Sequence, residues 1–129
     1  ALEIIGDVNG KTCMIVDDFT LSGNTLCKAS MGLMAKGAKE VYAFLSHAIL
    51  KEDAVARIEA SPIKQLITTD TVDNSEVLAG STKIKIVSAA PLFAEAVRTI
   101  HERRPMSYMF EHLPRKLVDM AFEGIDFKK

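Results

Sequence analysis

Between residues 14 and 25 the chain reads Met-Ile-Val-Asp-Asp-Phe-Thr-Leu-Ser-Gly-Asn-Thr. No other stretch limits the possible folds as much. An apolar run of strand length, residues 12–16, meets two consecutive carboxylates, Asp17 and Asp18. A small polar segment follows and leads into a helical pattern. Apolar runs without alternation suit strands covered on both faces, the usual condition of a parallel sheet. In an open α/β sheet the carboxyl end of such a strand borders the ligand crevice. Carboxylates there can hold hydroxyls or a metal, and N–H groups at the start of the next helix can hold an anion.

The same alternation runs through the chain. Residues 2–5 are a candidate short strand, and Gly6-Asp7-Val8-Asn9-Gly10 is turn chemistry. Residues 17–24 are predicted as a loop. Residues 25–36 are predicted as a helix, with Leu26, Ala29 and Leu33 on one face and Gly37 as its stop. Further strands are predicted over 41–46, 65–69 and 84–88. A second helix over 52–60 ends at Ser61-Pro62. Leu92, Phe93, Ala96, Val97 and Ile100 form the apolar face of a third helix, with Pro91 in its first turn. Residues 116–122 read as a last short helix, and residues 126–129 as a fraying end. The polar stretch 70–82 has no period and reads as a long loop, functional or mobile.

Strands alternating with helices imply an α/β fold: a mostly parallel sheet flanked by helices. Four strands are few for such a domain, so the sheet reads as truncated at its N-terminal side. The initial Ala fits a processed chain or a piece of a longer one.

With 129 residues, 48% of them hydrophobic, and a net charge of −1, one domain with a packed core is expected. No charge excess calls for nucleic acid or an anionic membrane. No apolar run is long enough to span a bilayer and no secretory leader is recognisable, so the cytoplasm is the expected compartment. Cys13 and Cys27 lack metal-ligand spacing and read as buried free thiols.

Ser22, Gly23, Asn24 and Thr25 together suit one phosphate. The N–H groups of Gly23, Asn24 and Thr25 and the hydroxyls of Ser22 and Thr25 make an anion cradle. Each polar residue there has a plainer role as a helix cap. Asp17 and Asp18 have one too, as a solvated strand end and a turn residue. The segment is neither a Walker A loop nor a dinucleotide fingerprint.

Val16-Asp17-Asp18 followed by Ser22-Gly23-Asn24-Thr25 resembles the phosphoribosyl diphosphate signature of type I phosphoribosyltransferase folds. Several blocks then fall in order: Gly6-Asp7-Val8-x-Gly10-Lys11, Gly37-Ala38-Lys39-Glu40-Val41-Tyr42-Ala43, Ser46-His47, Ala54-Val55-x-Arg57-Ile58, Thr69-Asp70-Thr71, Ala94-Glu95-Ala96-Val97-Arg98-x-Ile100-His101 and Ser107-Tyr108-x-Phe110. With them the chain resembles the C-terminal domain of the ribose-phosphate pyrophosphokinase (PRPP synthetase) family. The resemblance implies a phosphoribosyltransferase-like domain over residues 1–114 and a C-terminal extension over 115–129. It implies transfer of the diphosphate of ATP to the 1-hydroxyl of ribose 5-phosphate, with Mg²⁺, giving PRPP and AMP. By position, Asp17 and Asp18 would hold the ribose hydroxyls, directly or through Mg²⁺. The segment Leu21, Ser22, Gly23, Asn24 and Thr25 would meet the substrate and hold its 5-phosphate. ATP contacts and the catalytic loop belong to family regions upstream, so no catalytic residue is identified in this chain, which alone is expected not to make PRPP. The resemblance also implies a homo-oligomer, dimer or hexamer.

Departures in the loop and at Pro105 bear on that expectation. The family loop reads Asp-Asp-x-x-Asp-Thr-Gly-Gly-Thr. Here Leu21 takes the third acidic position, Ser22 the Thr and Asn24 a Gly. Leu21 cannot bind Mg²⁺ or accept a proton, which keeps open a non-catalytic regulatory subunit. A base phosphoribosyltransferase is the third reading, disfavoured by the blocks after Ser46. Pro105 stands where the family has a Ser that helps hold an allosteric phosphate or ADP, so weak regulation by either is expected. His47 reads as structural or interfacial, and His101 and His112 as surface residues. Tyr108, Met109 and Phe110 read as a core or subunit contact.

Overall fold

The fold is taken from a computed structural model, which describes residues 3–122. Its elements run β1 (Thr12–Thr20), α1 (Asn24–Ala35), β2 (Glu40–Ala48), α2 (Glu52–Ala60), β3 (Ile63–Thr69), β4 (Ile84–Val87), α3 (Ala90–His101), α4 (Ser107–Glu111) and α5 (Arg115–Phe122). One sheet carries the strands in the order β1-β2-β3-β4. β1 pairs in parallel with β2, and β2 with β3. The chain divides into two compact units, one ending at Ile86 and one beginning at Val87.

In the first unit α1 and α2 supply the apolar faces that close the core. Leu26 and Cys27 of α1 and Ala54 and Ile58 of α2 pack with Ala43 and Leu45 of β2 and Ile63 and Leu66 of β3. β2 contributes Val41, Tyr42 and Phe44, and β3 Ile63, Ile67, Thr68 and Thr69, the β-branched and aromatic residues that strands favour. α1 presents Leu26, Cys27 and Ser30 as its buried residues, a stripe rotated from the one expected through Ala29. It stops where expected. Gly37 N–H donates to Met34 O and Ala38 N–H to Leu33 O, a Schellman closure with Gly37 at φ 86°. A Cβ on Gly37 would also run into the Asn9 side chain, because the Val8–Lys11 turn docks there through Gly10 N–H to Gly37 O at 2.7 Å.

Several expected boundaries move. β1 does not end at residue 16. It runs through both carboxylates to Thr20, because its parallel pairing continues as Asp17↔Leu45, Phe19↔His47 and Thr20↔Ala48. The predicted loop 17–24 therefore shrinks to Leu21, Ser22 and Gly23. Nor is β1 covered on both faces: Met14 is 63% and Val16 77% exposed, while Cys13 and Ile15, which alternate with them, are half-buried. β1 lies at the edge of the described sheet, and the helices packed against its Ile15 cover one face only. β3 begins two residues earlier than expected, at Ile63. Residues 3–5 join no strand, and Leu2 and residues 126–129 lie outside the described residues. Both thiols are free, with Cys27 buried and Cys13 half-buried.

The stretch 70–82 is anchored at two places. Asn74 is buried, accepts from Leu50 N–H at 3.1 Å and donates to Ala48 O at 2.7 Å, satisfying the backbone just beyond β2. Glu59, near the end of α2, gathers Ser81 Oγ (2.7 Å), Thr82 N–H (3.0 Å), Thr82 Oγ1 (2.9 Å) and Lys83 N–H (3.0 Å). Burial pushes the Glu59 carboxyl up, but these donors outweigh it and hold the pKa down to about 2.

In the second unit α3 ends in another Schellman closure, with Arg103 N–H on Ile100 O and Arg104 N–H on Thr99 O. Arg103 takes the left-handed position, φ 55°, where glycine is usual. The predicted apolar face of α3 is not a buried one: Leu92, Phe93, Val97 and Ile100 are exposed and Thr99 is the buried residue. The expected knot at 108–110 forms a five-residue helix, α4, in which Met109 is buried and Phe110 is 89% exposed.

Two stability effects follow. The depressed Glu59 pKa stabilises the fold fully above pH ~4.5, and that contribution disappears as the pH falls from there towards ~2. In thermal melts Glu59→Gln lowers Tm at pH 7, and its gap to wild type closes between pH 4.5 and 2.5. A gap independent of pH would contradict the carboxylate's role. Thr68 Oγ1 on β3 is buried without a hydrogen-bond partner. Thr68→Val, which removes that unsatisfied hydroxyl at nearly constant shape, is expected to raise stability by about 1 kcal/mol in urea unfolding.

Candidate functional site

β1 delivers the acidic pair to the carboxyl end of the sheet. Adjacent strand residues point to opposite faces. Asp17 thus shares the side of Ile15 and Asp18 that of Val16, and both are exposed. Each carboxylate spends one oxygen on the backbone next to it. Asp17 Oδ1 accepts from Asp18 N–H at 3.0 Å and Asp18 Oδ1 from Phe19 N–H at 2.8 Å. These bonds orient the two groups and use only Oδ1 of each.

Mg²⁺ is commonly held by one or two carboxylates, with water and substrate oxygens completing its shell. No group of three or more His, Cys, Asp or Glu residues suited to a metal occurs among the described residues. Asp17 and Asp18 therefore fit Mg²⁺ only as a partial site, one that needs oxygens from a bound substrate.

The strand ends and α1 begins within three residues. Leu21 is 56% exposed at the bend, so its apolar side chain adds no ligand. Gly23 makes the turn with φ 67°. It is buried, and a Cβ there would lie 3.2 Å from Ile58 Cγ1 and 3.3 Å from Cδ1, so the position suits glycine on two counts. Gly23 N–H does not face an incoming anion; it donates to Thr20 Oγ1 at 3.1 Å. Ser22 Oγ accepts from Asn24 N–H at 3.4 Å, a long bond.

Ser22, Asn24 and Thr25 were all candidate caps, yet Gly23 is the N-cap, and Ser22 reaches the first N–H of α1 only through that long bond. The first turn of α1 also holds no acidic residue. The start of this 12-residue helix thus keeps its positive end uncompensated by its own sequence, beside the exposed Ser22, Asn24 and Thr25. An anion is the matching ligand.

Two residues that local sequence does not reveal hold this loop: Thr20, through Gly23 N–H, and Arg57 of α2, whose guanidinium donates to Ser22 O. Arg57 also pairs with Asp53, four residues earlier, at 3.4 Å. That spacing alone reads as a solvated helix pair and hides the longer reach to Ser22.

His47, the residue before the last of β2, lies opposite Phe19. Its Nδ1 lies 2.7 Å from Thr71 Oγ1, which lies 2.7 Å from Thr69 Oγ1, which donates to Ser46 O at 2.6 Å. Ser46 O can only accept, so the chain of hydroxyls points toward it. His47 is thus tied into a hydrogen-bonded chain joining the ends of β2 and β3, as expected for a structural residue.

Residues 1–111 match the family described as the phosphoribosyl synthetase-associated domain. The chain is 45% identical over 109 residues to a ribose-phosphate pyrophosphokinase of Neisseria meningitidis, covering 84% of this chain and 33% of that protein. It is 44% identical over 110 residues to one of Clostridium tetani, covering 85% and 34%. Among solved structures, a phosphoribosylpyrophosphate synthetase from Mycobacterium smegmatis superposes with a TM-score of 0.70 at 31% identity, over 77% of this chain and 33% of that one. The chain thus spans about a third of the length of the relatives it matches. With four strands flanked by helices, the Asp17-Asp18 strand end and a family match over residues 1–111, the chain belongs to the phosphoribosyl synthetase family.

Proposed function

We propose that this chain is the ribose 5-phosphate-binding half of a ribose-phosphate diphosphokinase. The enzyme would move the diphosphate of ATP onto the 1-hydroxyl of ribose 5-phosphate, giving PRPP for nucleotide synthesis and AMP. The observation that carries the proposal is the junction itself: two oriented carboxylates, three loop residues and a helix start whose N-cap is Gly23 and whose first turn holds no acidic residue. Asp17 and Asp18 hold the ribose hydroxyls. Ser22, Asn24, Thr25 and the first turn of α1 hold the 5-phosphate, and Leu21 borders it. Bound Mg²⁺ would neutralise charge on the transferring diphosphate. The chain's own task is positioning, which makes a large contribution to transfers of this kind.

ATP contacts and the catalytic loop come from a part of the protein outside this chain. The family match ending at residue 111 supports a domain over 1–114 with 115–129 as an extension. The exposed apolar residues of α3, with Phe110, support assembly into a homo-oligomer. No described helix is long and apolar enough to cross a membrane, and a cytoplasmic enzyme is the matching proposal. Pro105 supports weak activation by phosphate at the site where relatives place Ser.

Leu21 favours a second reading, a non-catalytic subunit that assembles with active homologues. One assay separates the two. The protein, expressed with any upstream coding region, is given ATP and ribose 5-phosphate, and AMP is followed. Turnover that falls about 10- to 100-fold in Asp17→Asn, the size of one lost charged hydrogen bond, supports the site. No turnover, together with co-purification with an active homologue, favours the regulatory subunit.

A further inference from the structure

The peptide unit between Ser22 and Gly23 is fixed at both ends. Its carbonyl accepts from Arg57 and its N–H donates to Thr20 Oγ1. We propose that Arg57 is a positioning residue of the phosphate loop, acting through the Ser22 carbonyl. The inference rests on the ribose 5-phosphate reading given above.

The loop needs support from outside. It has three residues, and the helix after it has no side-chain cap. A peptide plane at a glycine can rotate cheaply, since Gly accepts either sign of φ. Rotation of the Ser22–Gly23 plane would swing a carbonyl oxygen toward the start of α1. A phosphate there would then face a negative dipole end instead of N–H groups. Arg57 opposes that rotation by holding the oxygen on the α2 side.

The rest of α2 makes the hold geometrically firm. Ile58, the next residue, stands behind Gly23 at 3.2 Å from where a Cβ would be. Cys27 Sγ on α1 donates to Arg57 O at 3.7 Å, which ties the backbone of Arg57 to the helix that the loop begins. Asp53 competes weakly for the guanidinium, because its carboxylate is 68% exposed and the 3.4 Å pair is solvated. The Arg57 charge also lies on the loop side of α2, where it favours an anion beyond its steric role.

The test is an NMR titration of the protein with ribose 5-phosphate, combined with amide exchange of the unliganded form. Arg57→Met is expected to weaken binding roughly tenfold, the worth of one charged hydrogen bond. It should speed exchange at Gly23 and leave Ala43 and Leu45 of β2 protected as in wild type. Arg57→Lys keeps the charge and one donor and is expected to lose about threefold. If Arg57→Met loses β2 protection and so is unfolded, Arg57→Lys decides by the same two readouts. Wild-type affinity with unchanged Gly23 exchange in the folded variants would overturn the role of Arg57 alone. Failure of wild type to bind ribose 5-phosphate would overturn the reading of the loop, and this inference with it.

Discussion

Backbone pairing between β1 and β2 continues past the acidic pair, and the site depends on that extra length. Phe19↔His47 and Thr20↔Ala48 extend the ladder, and Ile49 N–H still donates to Thr20 O at 2.9 Å. Thr20 is therefore a strand residue held on its backbone, free to offer Oγ1 to Gly23 N–H. Only Leu21, Ser22 and Gly23 remain to turn the chain into α1. So short a reversal uses a positive φ, and Ile58 leaves no slack behind the residue that adopts it. The strand end, the glycine and the second helix thus form one mechanical unit.

Much of this was legible in the sequence, because α/β alternation leaves a strong local trace. The turn at Asn9-Gly10, the stop at Gly37 and the end of α2 at Ser61-Pro62 all read directly. What failed to read is what pairing and packing decide from a distance. Asp17 and Asp18 are poor strand formers, so local propensity ends β1 too early, while the ladder to β2 carries it on. Three cap-type residues flank Gly23, yet the loop geometry gives the cap to the glycine. Arg57 reads as half of a helix ion pair, because its partner Ser22 lies 35 residues away. The face of α3 has clear helical spacing, but spacing marks an apolar stripe without saying what covers it.

The long stretch after β3 makes a related point. Polar and aperiodic, it reads as a long loop, functional or mobile. Its segments are instead tied down by a buried Asn74 and by the half-buried Glu59, whose hydrogen bonds satisfy backbone groups that would otherwise be left unpaired. Side-chain polarity was the cue for a loop, and the same polarity is what anchors it. Behind the acidic strand end, then, the β2 and β3 termini are braced by Asn74 and by the Thr69–Thr71–His47 chain.

Charge along the junction changes sign within a few residues. Asp17 and Asp18 make the strand end negative. From Gly23 onward the helix start, without acids of its own and with Arg57 beside it, is positive. A ligand suited to this gradient has hydroxyls, or a cation, at one end and a phosphate at the other, which is the polarity of a sugar phosphate. Carboxylates so near the helix start also carry a cost for any anion there, since like charges repel most where water is displaced. Leu21 acts on that balance. It lies between the two halves, exposed and apolar. It adds no negative charge beside the helix start and no ligand to the acidic pair, so the boundary between the negative strand end and the positive helix start falls at this residue.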